Sequence, residues 1–351
     1  MMRNRISARI GVVAFAATSV VLLSACRKDV AISNDVVDPL AQPIRPAHFP
    51  PAQYDFAGNP YSKAGFELGR RLFADPILSA DLSISCSSCH RQEAAFSDAG
   101  QAFSTGVQGR SGIRNSPAVF NMAWNRSFMW DGGINHIEVM PFAPITDPAE
   151  MDEDLLSVLG KLNDHADYPS LFQKVFQRAP IDDQQLFHAL AQYMGNLVSA
   201  DSPYDRYVTG DGSLTTSELS GLGLFRANCA SCHTEPLFTD HGFHNNGLDT
   251  VFTDQGRYRI TQEPWDMGRF KTPSLRNVAR TGPYMHDGRF ANLDQAVEHY
   301  NTGLHESPTL ANELLTQGAG MAFSDQEKTD LIAFLNALTD HVLITDPELS
   351  E

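Results

Sequence analysis

The sequence predicts a mostly α-helical protein with two tandem domains, and three observations predict it. Apolar residues recur at spacings of three and four through the middle and end of the chain, the period of amphipathic helices. Alternating runs of strand length are few, Val251–Ile260 being the best short candidate. One cysteine motif occurs twice, at residue 86 and again at residue 229, in similar surroundings. The 351 residues and 42% hydrophobic content suit a globular chain of about two domains. They exclude a wholly disordered chain and a small staple-dependent one. The formal charge of −16 argues against nucleic acid as a partner, since that needs a basic footprint. It allows a basic protein to be steered in electrostatically.

Residues 1–25 hold three arginines, no acid, and an apolar run from Ile10 to Leu23. This is the layout of a secretory signal, and the run is short for a membrane span. Its end, Leu23-Ser24-Ala25-Cys26, resembles a bacterial lipoprotein signal. That resemblance implies cleavage before Cys26 and lipidation of its thiol, so that acyl chains hold the protein at a membrane. Arg27 and Lys28 follow with no Asp directly after Cys26, which resembles an outer-membrane address. Residues 26–60 read as a Pro-rich tether or wrapped arm, with six of the twenty prolines in 35–60. The folded part is expected to begin near Tyr61.

The cysteines after Cys26 form Cys86-Ser87-Ser88-Cys89-His90 and Cys229-Ala230-Ser231-Cys232-His233. Both are C-x-x-C-H, the signature of c-type haem attachment. Two thiols add to the vinyl groups of one haem, and the adjacent His90 or His233 reaches its iron. One structural zinc site or two disulfides are the alternatives; neither explains a His after both pairs. Leu68-Gly69-Arg70-Arg71-Leu72-Phe73 precedes the first motif and Phe96-Ser97-Asp98 follows it. Leu222-Gly223-Leu224-Phe225 and Phe238-Thr239-Asp240 flank the second. This weak repeat implies two cytochrome c-like haem domains, 61–205 and 206–345, each around its own covalently bound haem c.

The chain between and after the motifs is helical. Residues 152–178 and 183–199 place Leu156, Leu159, Phe172, Leu186, Leu190 and Tyr193 at helical spacing. The last helix opens on Ser324-x-x-Glu327, a capping box.

From about Gly65 to Thr339 the chain resembles the bacterial di-haem cytochrome c peroxidases and their MauG relatives. The match is carried by LGRRLFADPILSADLSISCSSCH (68–90), AFSD (95–98), RNSPAVFN (114–121), FMWDGG (128–133), FKTPSLRNVARTGPYMHDGRF (270–290) and LDQAVEHY (293–300). The resemblance implies that the N-terminal haem is peroxidatic and that the C-terminal haem transfers electrons. It places Glu150 as the acid–base catalyst of O–O cleavage, Trp130 as an electron relay between the haems, and Pro144 in the distal pocket. Met140 falls where relatives often have Gln. Asn115, Thr281 and Pro283 match inter-domain ligands of one Ca²⁺, a hard ion suited to carbonyl oxygens. Lys271, Arg276 and His286 are offered as haem-propionate partners.

Two departures bear on the subclass. The well-known peroxidases carry a removable His on the loop after AFSD; here residues 99–112 hold neither His nor Met. An open N-terminal iron, needing no reductive activation, is therefore expected. Those peroxidases also have Met as second ligand of the C-terminal iron, where Tyr300 stands here, as in MauG. An anionic phenolate favours oxidised iron and a thioether favours reduced iron. Met285 and His299 are the alternative ligands.

The expected activity is reduction of hydrogen peroxide to water by a periplasmic cytochrome-c peroxidase. A small cytochrome c or cupredoxin would supply electrons. The alternatives are a MauG-like oxidase acting on a protein partner and a non-enzymatic di-haem electron carrier. The family often forms homodimers.

Overall fold

A computed structural model of the chain describes residues 42–315 and 320–350. The signal segment, the proposed lipidation site Cys26 and the start of the tether lie outside the described residues. In chain order the helices are α1 Lys63–Ala74, α2 Cys86–Cys89, α3 Phe142–Thr146, α4 Leu155–Asp164, α5 Tyr168–Phe176, α6 Asp183–Met194 and α7 Pro203–Thr209. There follow α8 Thr216–Asn228, α9 Tyr258–Thr261, α10 Leu293–Thr302, α11 Asn312–Leu315, α12 Asp325–Asn336 and α13 His341–Thr345. The described strands are β1 Phe243–His244 and β2 Phe270–Lys271, antiparallel, with Phe243 opposite Lys271. The mostly α expectation therefore holds.

Local chemistry sets the helix boundaries. The expected Ser324 box forms, with the Ser324 hydroxyl accepting from the Glu327 N–H and the Glu327 carboxylate accepting from the Ser324 N–H. Thr215 and Glu218 do the same for α8, and Asp182 with Gln185 for α6. The helical stretch 152–178 divides into α4, capped by Asp154, and α5. The expected strand at Val251–Ile260 does not form. Asp254 accepts from the Gly256 N–H at 3.0 Å and Gly256 has φ +57°, which turns the chain instead.

Two helix crossings build the two halves, and glycine permits both. A Cβ on Gly69 of α1 would lie 2.1 Å from the Ala189 carbonyl oxygen of α6. A Cβ on Gly221 of α8 would lie 1.9 Å from the Asp330 carbonyl oxygen of α12. The repeat is thus Gly-x-x-Leu-Phe, Gly69 matching Gly221; Gly223, in the LGLF stretch, has no neighbour that a Cβ would meet within 4 Å. Gly221→Ala is expected to cost about 1–3 kcal/mol, because a backbone oxygen cannot step aside. Gly223→Ala should be neutral or stabilising by up to ~1 kcal/mol through helix propensity. Thermal unfolding of the two holo-variants checks the contrast.

Two cores result. One joins α1, α4, α5 and α6 around Phe66, Leu72, Phe172, Leu190 and Tyr193. The other joins α8 and α12 around Leu222, Phe225, Phe238, Phe334 and Leu338. Leu343, Ile344 and Leu349 return to the first core, where Tyr193 Oη–H donates to the Leu349 carbonyl at 2.6 Å. The chain after residue 340, placed by sequence with the second half, thus packs against the first.

The ordered chain also starts before Tyr61, since residues 42–60 wrap the body as an arm. Trp124 Nε1–H donates to the Pro50 carbonyl at 2.8 Å and Tyr54 Oη–H to Glu138 at 2.7 Å. His48 bonds Asp205 at 2.9 Å. Phe49 lies edge-on to Trp124 at 5.2 Å and under the Arg276 guanidinium at 4.6 Å. The arm therefore touches both halves.

Candidate haem-binding active site

A cavity of about 930 Å³ runs through the molecule and is lined by both cysteine motifs. One motif forms a short helix and the other follows one. Cys86 to Cys89 form α2, and Cys229 caps α8. His90 and His233 each hold their Nδ1 against a backbone carbonyl, Phe96 at 3.0 Å and Phe238 at 3.2 Å. Both phenylalanines adopt left-handed backbone, φ +56° and +55°, which turns the chain back over the imidazole. The Nδ1–H is thereby the donor, and Nε2 keeps its lone pair for a metal. Burial lowers the pKa of both imidazoles, His233 to about 4, so both are neutral, as ligands must be.

The four thiols are unpaired. Burial pushes Cys86 and Cys229 up to about 12, which keeps them as thiols. Among the described residues the two pairs do not meet: the set that approaches metal-ligand spacing is Cys232, His244 and Glu313. A shared zinc site and disulfides are therefore not formed. Two Cys-x-x-Cys-His sets with locked histidines, opening on one large cavity, fit two covalent haems.

Glu150 lines this cavity and is solvent-accessible. Surrounding protein atoms, and then Asp147, push its carboxyl up to about 7. The loop after AFSD holds its backbone. Val107 N–H donates to the Glu150 carbonyl at 2.8 Å, and Arg110 pairs with Asp152. A Cβ on Gly106 would lie 2.2 Å from the Ala149 carbonyl oxygen, so the contact needs glycine. Pro144 and Met140 line the same end.

Trp130 joins the halves. Its Nε1–H donates to the Asn115 carbonyl at 2.8 Å, and its own carbonyl accepts from Lys271 N–H at 2.8 Å. A clamp that the sequence did not reveal holds this segment. Arg114 bonds Asp131 at 2.6 Å and Asp254 at 2.6 and 2.8 Å. Arg257 donates to the Asp131 and Gly132 carbonyls. Asn115, Thr281 and Pro283 all line the cavity. Asn115 spends its amide N–H groups on the Gln101 and Ala102 carbonyls, and its Oδ1 is the oxygen left to offer a cation.

Of the candidate second ligands, Tyr300 and Met285 line the cavity and His299 does not. His299 Nε2–H donates to the Asn246 carbonyl at 3.0 Å. Burial pushes the Tyr300 phenol up to about 12. Arg276 is not free for a propionate, because its guanidinium is bound to Asp205 at 2.7 and 2.8 Å and to the Pro236 carbonyl at 2.9 Å. His286 stacks on Phe270 at 3.7 Å. Lys271 lines the cavity, as Arg276 and His286 do, and its pKa is lowered by burial to about 8. Beside it, His241 has an Nδ1 with no partner.

The repeat extends further than the cysteine motifs suggest. Asn121 and Asn277 share left-handed backbone, as do Met129 and Met285, and Gly132 and Gly288. In that same register Pro144 stands where Tyr300 stands. The first half has a residue that cannot ligate at the position where the second has a phenol.

Comparison with known proteins agrees with this architecture. The model of the di-haem cytochrome c peroxidase family matches residues 63–213. The methylamine utilization protein MauG of Methylorubrum extorquens is 36% identical over 298 residues, covering 83% of each chain. A cytochrome-c peroxidase of Denitromonas iodatirespirans is 32% identical over 321 residues, 81% of this chain and 85% of that one. The crystal structure of a MauG-like protein associated with microbial copper homeostasis superposes with a TM-score of 0.81 at 33% identity, over 87% of this chain and 97% of that one. Taken with the two locked Cys-x-x-Cys-His sets, these likenesses show that the chain belongs to the di-haem cytochrome c peroxidase and MauG family, a family of peroxidase-type oxidoreductases with two c-type haems.

Proposed function

We propose that this protein reduces hydrogen peroxide to water at its N-terminal haem, with electrons that enter at its C-terminal haem from a small cytochrome c or cupredoxin. The observation that carries the reading is the Glu150 carboxyl, poised near neutrality in the cavity that His90 also lines. Cys86, Cys89 and His90 would hold the haem, which would supply an iron for peroxide. Glu150 then moves a proton from the inner to the outer oxygen, a role that needs a pKa close to the working pH. Residues 99–112 carry no His or Met that could block the iron, and the bond from Val107 N–H to the Glu150 carbonyl holds the loop in place. Trp130, bonded to both halves, relays electrons between the sites, and Lys271 with His241 receives propionates.

The remaining assignments of this reading are finer. Domains 61–205 and 206–345 each surround one haem; two cores support the division as far as residue 340, and Leu343 and Ile344 belong to the first. Asn115, Thr281 and Pro283 hold a Ca²⁺ between them. The protein resides in the periplasm, lipidated at Cys26 and directed to the outer membrane. Among the described residues no helix is long and apolar enough to cross a membrane.

Tyr300 favours a second reading, oxidation of a protein partner in the manner of MauG, since a phenolate on the C-terminal iron stabilises its oxidised states. One experiment separates the two: peroxide added to the oxidised holoprotein, with and without a reduced small cytochrome. Immediate donor oxidation without pre-reduction supports the peroxidase. A long-lived oxidised spectrum without turnover supports the second reading. No reaction with peroxide sinks both.

A further inference from the structure

Tyr300 and Met285 are both in reach of the C-terminal haem cavity, and one side chain touches both. Asn246 Nδ2 lies 3.2 Å from Met285 Sδ and 3.4 Å from Tyr300 Oη. A primary amide has two N–H donors on that nitrogen, one for each atom. The backbone of the same residue takes part too, since its carbonyl accepts from His299, the neighbour of Tyr300 on α10. Asn246 thus fixes where α10 stands and where the phenol at its end points.

The surrounding chain keeps Asn246 from moving. Asn245 is buried and donates to Ser307 at 2.8 Å and Thr309 at 2.9 Å. Its Oδ1 accepts from Gly247 N–H at 2.9 Å. Gly247 has φ +70° and packs against Leu310 and His305. On the facing side Met285 sits in left-handed backbone, φ +74°, within a tight turn closed by Gly288 N–H to the Met285 carbonyl. Such backbone is costly for an unbranched side chain and persists where the surroundings over-determine it.

We infer that Asn246 is a positioning residue that selects Tyr300 over Met285 as second ligand of the C-terminal iron. The inference rests on the haem assignment made above. A phenolate bound to iron keeps a lone pair for the amide, and that bond is charge-assisted. A thioether accepts only weakly, so the second N–H engages Met285 without competing with the phenol for the first. Losing a hydrogen bond to a charged group shifts such a balance by about tenfold or more. Without the amide, the phenolate loses its support and the sulfur is released together.

The test uses the oxidised holoprotein and reads ligand identity by electron paramagnetic resonance and by the phenolate-to-iron charge-transfer band. Asn246→Leu keeps the volume and removes the donors. It should lose much of the phenolate signature and gain a thioether-ligated fraction, a change of about tenfold in the ratio. Met285→Leu alone should keep the phenolate signature. Asn246→Leu with Met285→Leu should restore it, because no competing sulfur remains. An unchanged signature in Asn246→Leu overturns the inference. So does a loss that the double variant fails to restore, since the amide would then act only through the fold. If wild type shows no phenolate signature and Tyr300→Phe changes nothing, the ligand assignment itself fails. The inference falls with it, and the reason is distinguishable.

Discussion

Glu150→Gln is expected to lower peroxide turnover by about 10²–10⁴-fold, the usual contribution of a positioned acid–base group. Both haems should attach and their resting spectra should not change. The substitution keeps the shape of the side chain and removes its ability to take a proton. Its backbone anchor, the bond from Val107, does not involve the side chain. The pH dependence has a definite sign. The carboxylate is the base, so activity should rise with pH through about 7, where desolvation by the surrounding protein atoms and then Asp147 place the carboxyl. Asp147→Asn removes a charge that raises that value, so the inflection should move to lower pH. In Glu150→Gln the inflection should vanish. Stopped-flow rates of reaction with peroxide measure all three. A Gln variant within a few-fold of wild type, with its pH profile intact, would remove Glu150 from the reaction.

Arg276→Met should be the most destabilising single change, at about 3–5 kcal/mol, the cost of leaving one charge of a buried pair without its partner. Arg276 is fully buried. Its guanidinium spends its donors on both oxygens of Asp205 and on the Pro236 carbonyl. Phe49 and Phe238 lie against it at 4.6 and 5.6 Å, so water cannot replace it. The His48 imidazole would remain bonded to Asp205 at 2.9 Å. The double variant with Asp205→Asn should recover part of the loss, because it removes the stranded charge. Denaturant unfolding of the holoprotein provides the numbers. A cost below about 1 kcal/mol for the single variant would show that Asp205 finds another partner.

The two cases differ in how far the sequence showed them. Covalent chemistry fixes the distance between two thiols and the next imidazole, so the haem motifs are legible without a structure. Capping boxes are equally local, and Ser324 behaves as its spacing says. Glu150 was found through a resemblance, because nothing in Glu150, Asp152, Glu153 and Asp154 marks one acid as the one in the cavity. Arg276 was misjudged because a sequence shows a charge and not its partner; Asp205 is far away in the chain. The Arg114 clamp and Asn246 were missed for the same reason. Other features were available and passed over. FMWDGG and YMHDGR share Met, Asp and Gly at matching places, and the structure gives both the same left-handed Met and Gly. Their dissimilar Trp130 and His286 hide a common backbone. The arm at 42–60 reads as a spacer by its prolines, yet Phe49 and Tyr54 are packing residues.

The large cavity has a consequence for how this protein is made. The apolar groups that line these roughly 930 Å³ leave water only when the two prosthetic groups pack against them, and such burial is the main favourable term in folding. The prosthetic groups are therefore structural centres as well as reactive ones. The nascent polypeptide should stay loosely packed and open to proteases until its thioether bonds form. Limited proteolysis should therefore cut the haem-free polypeptide faster than the haem-loaded one.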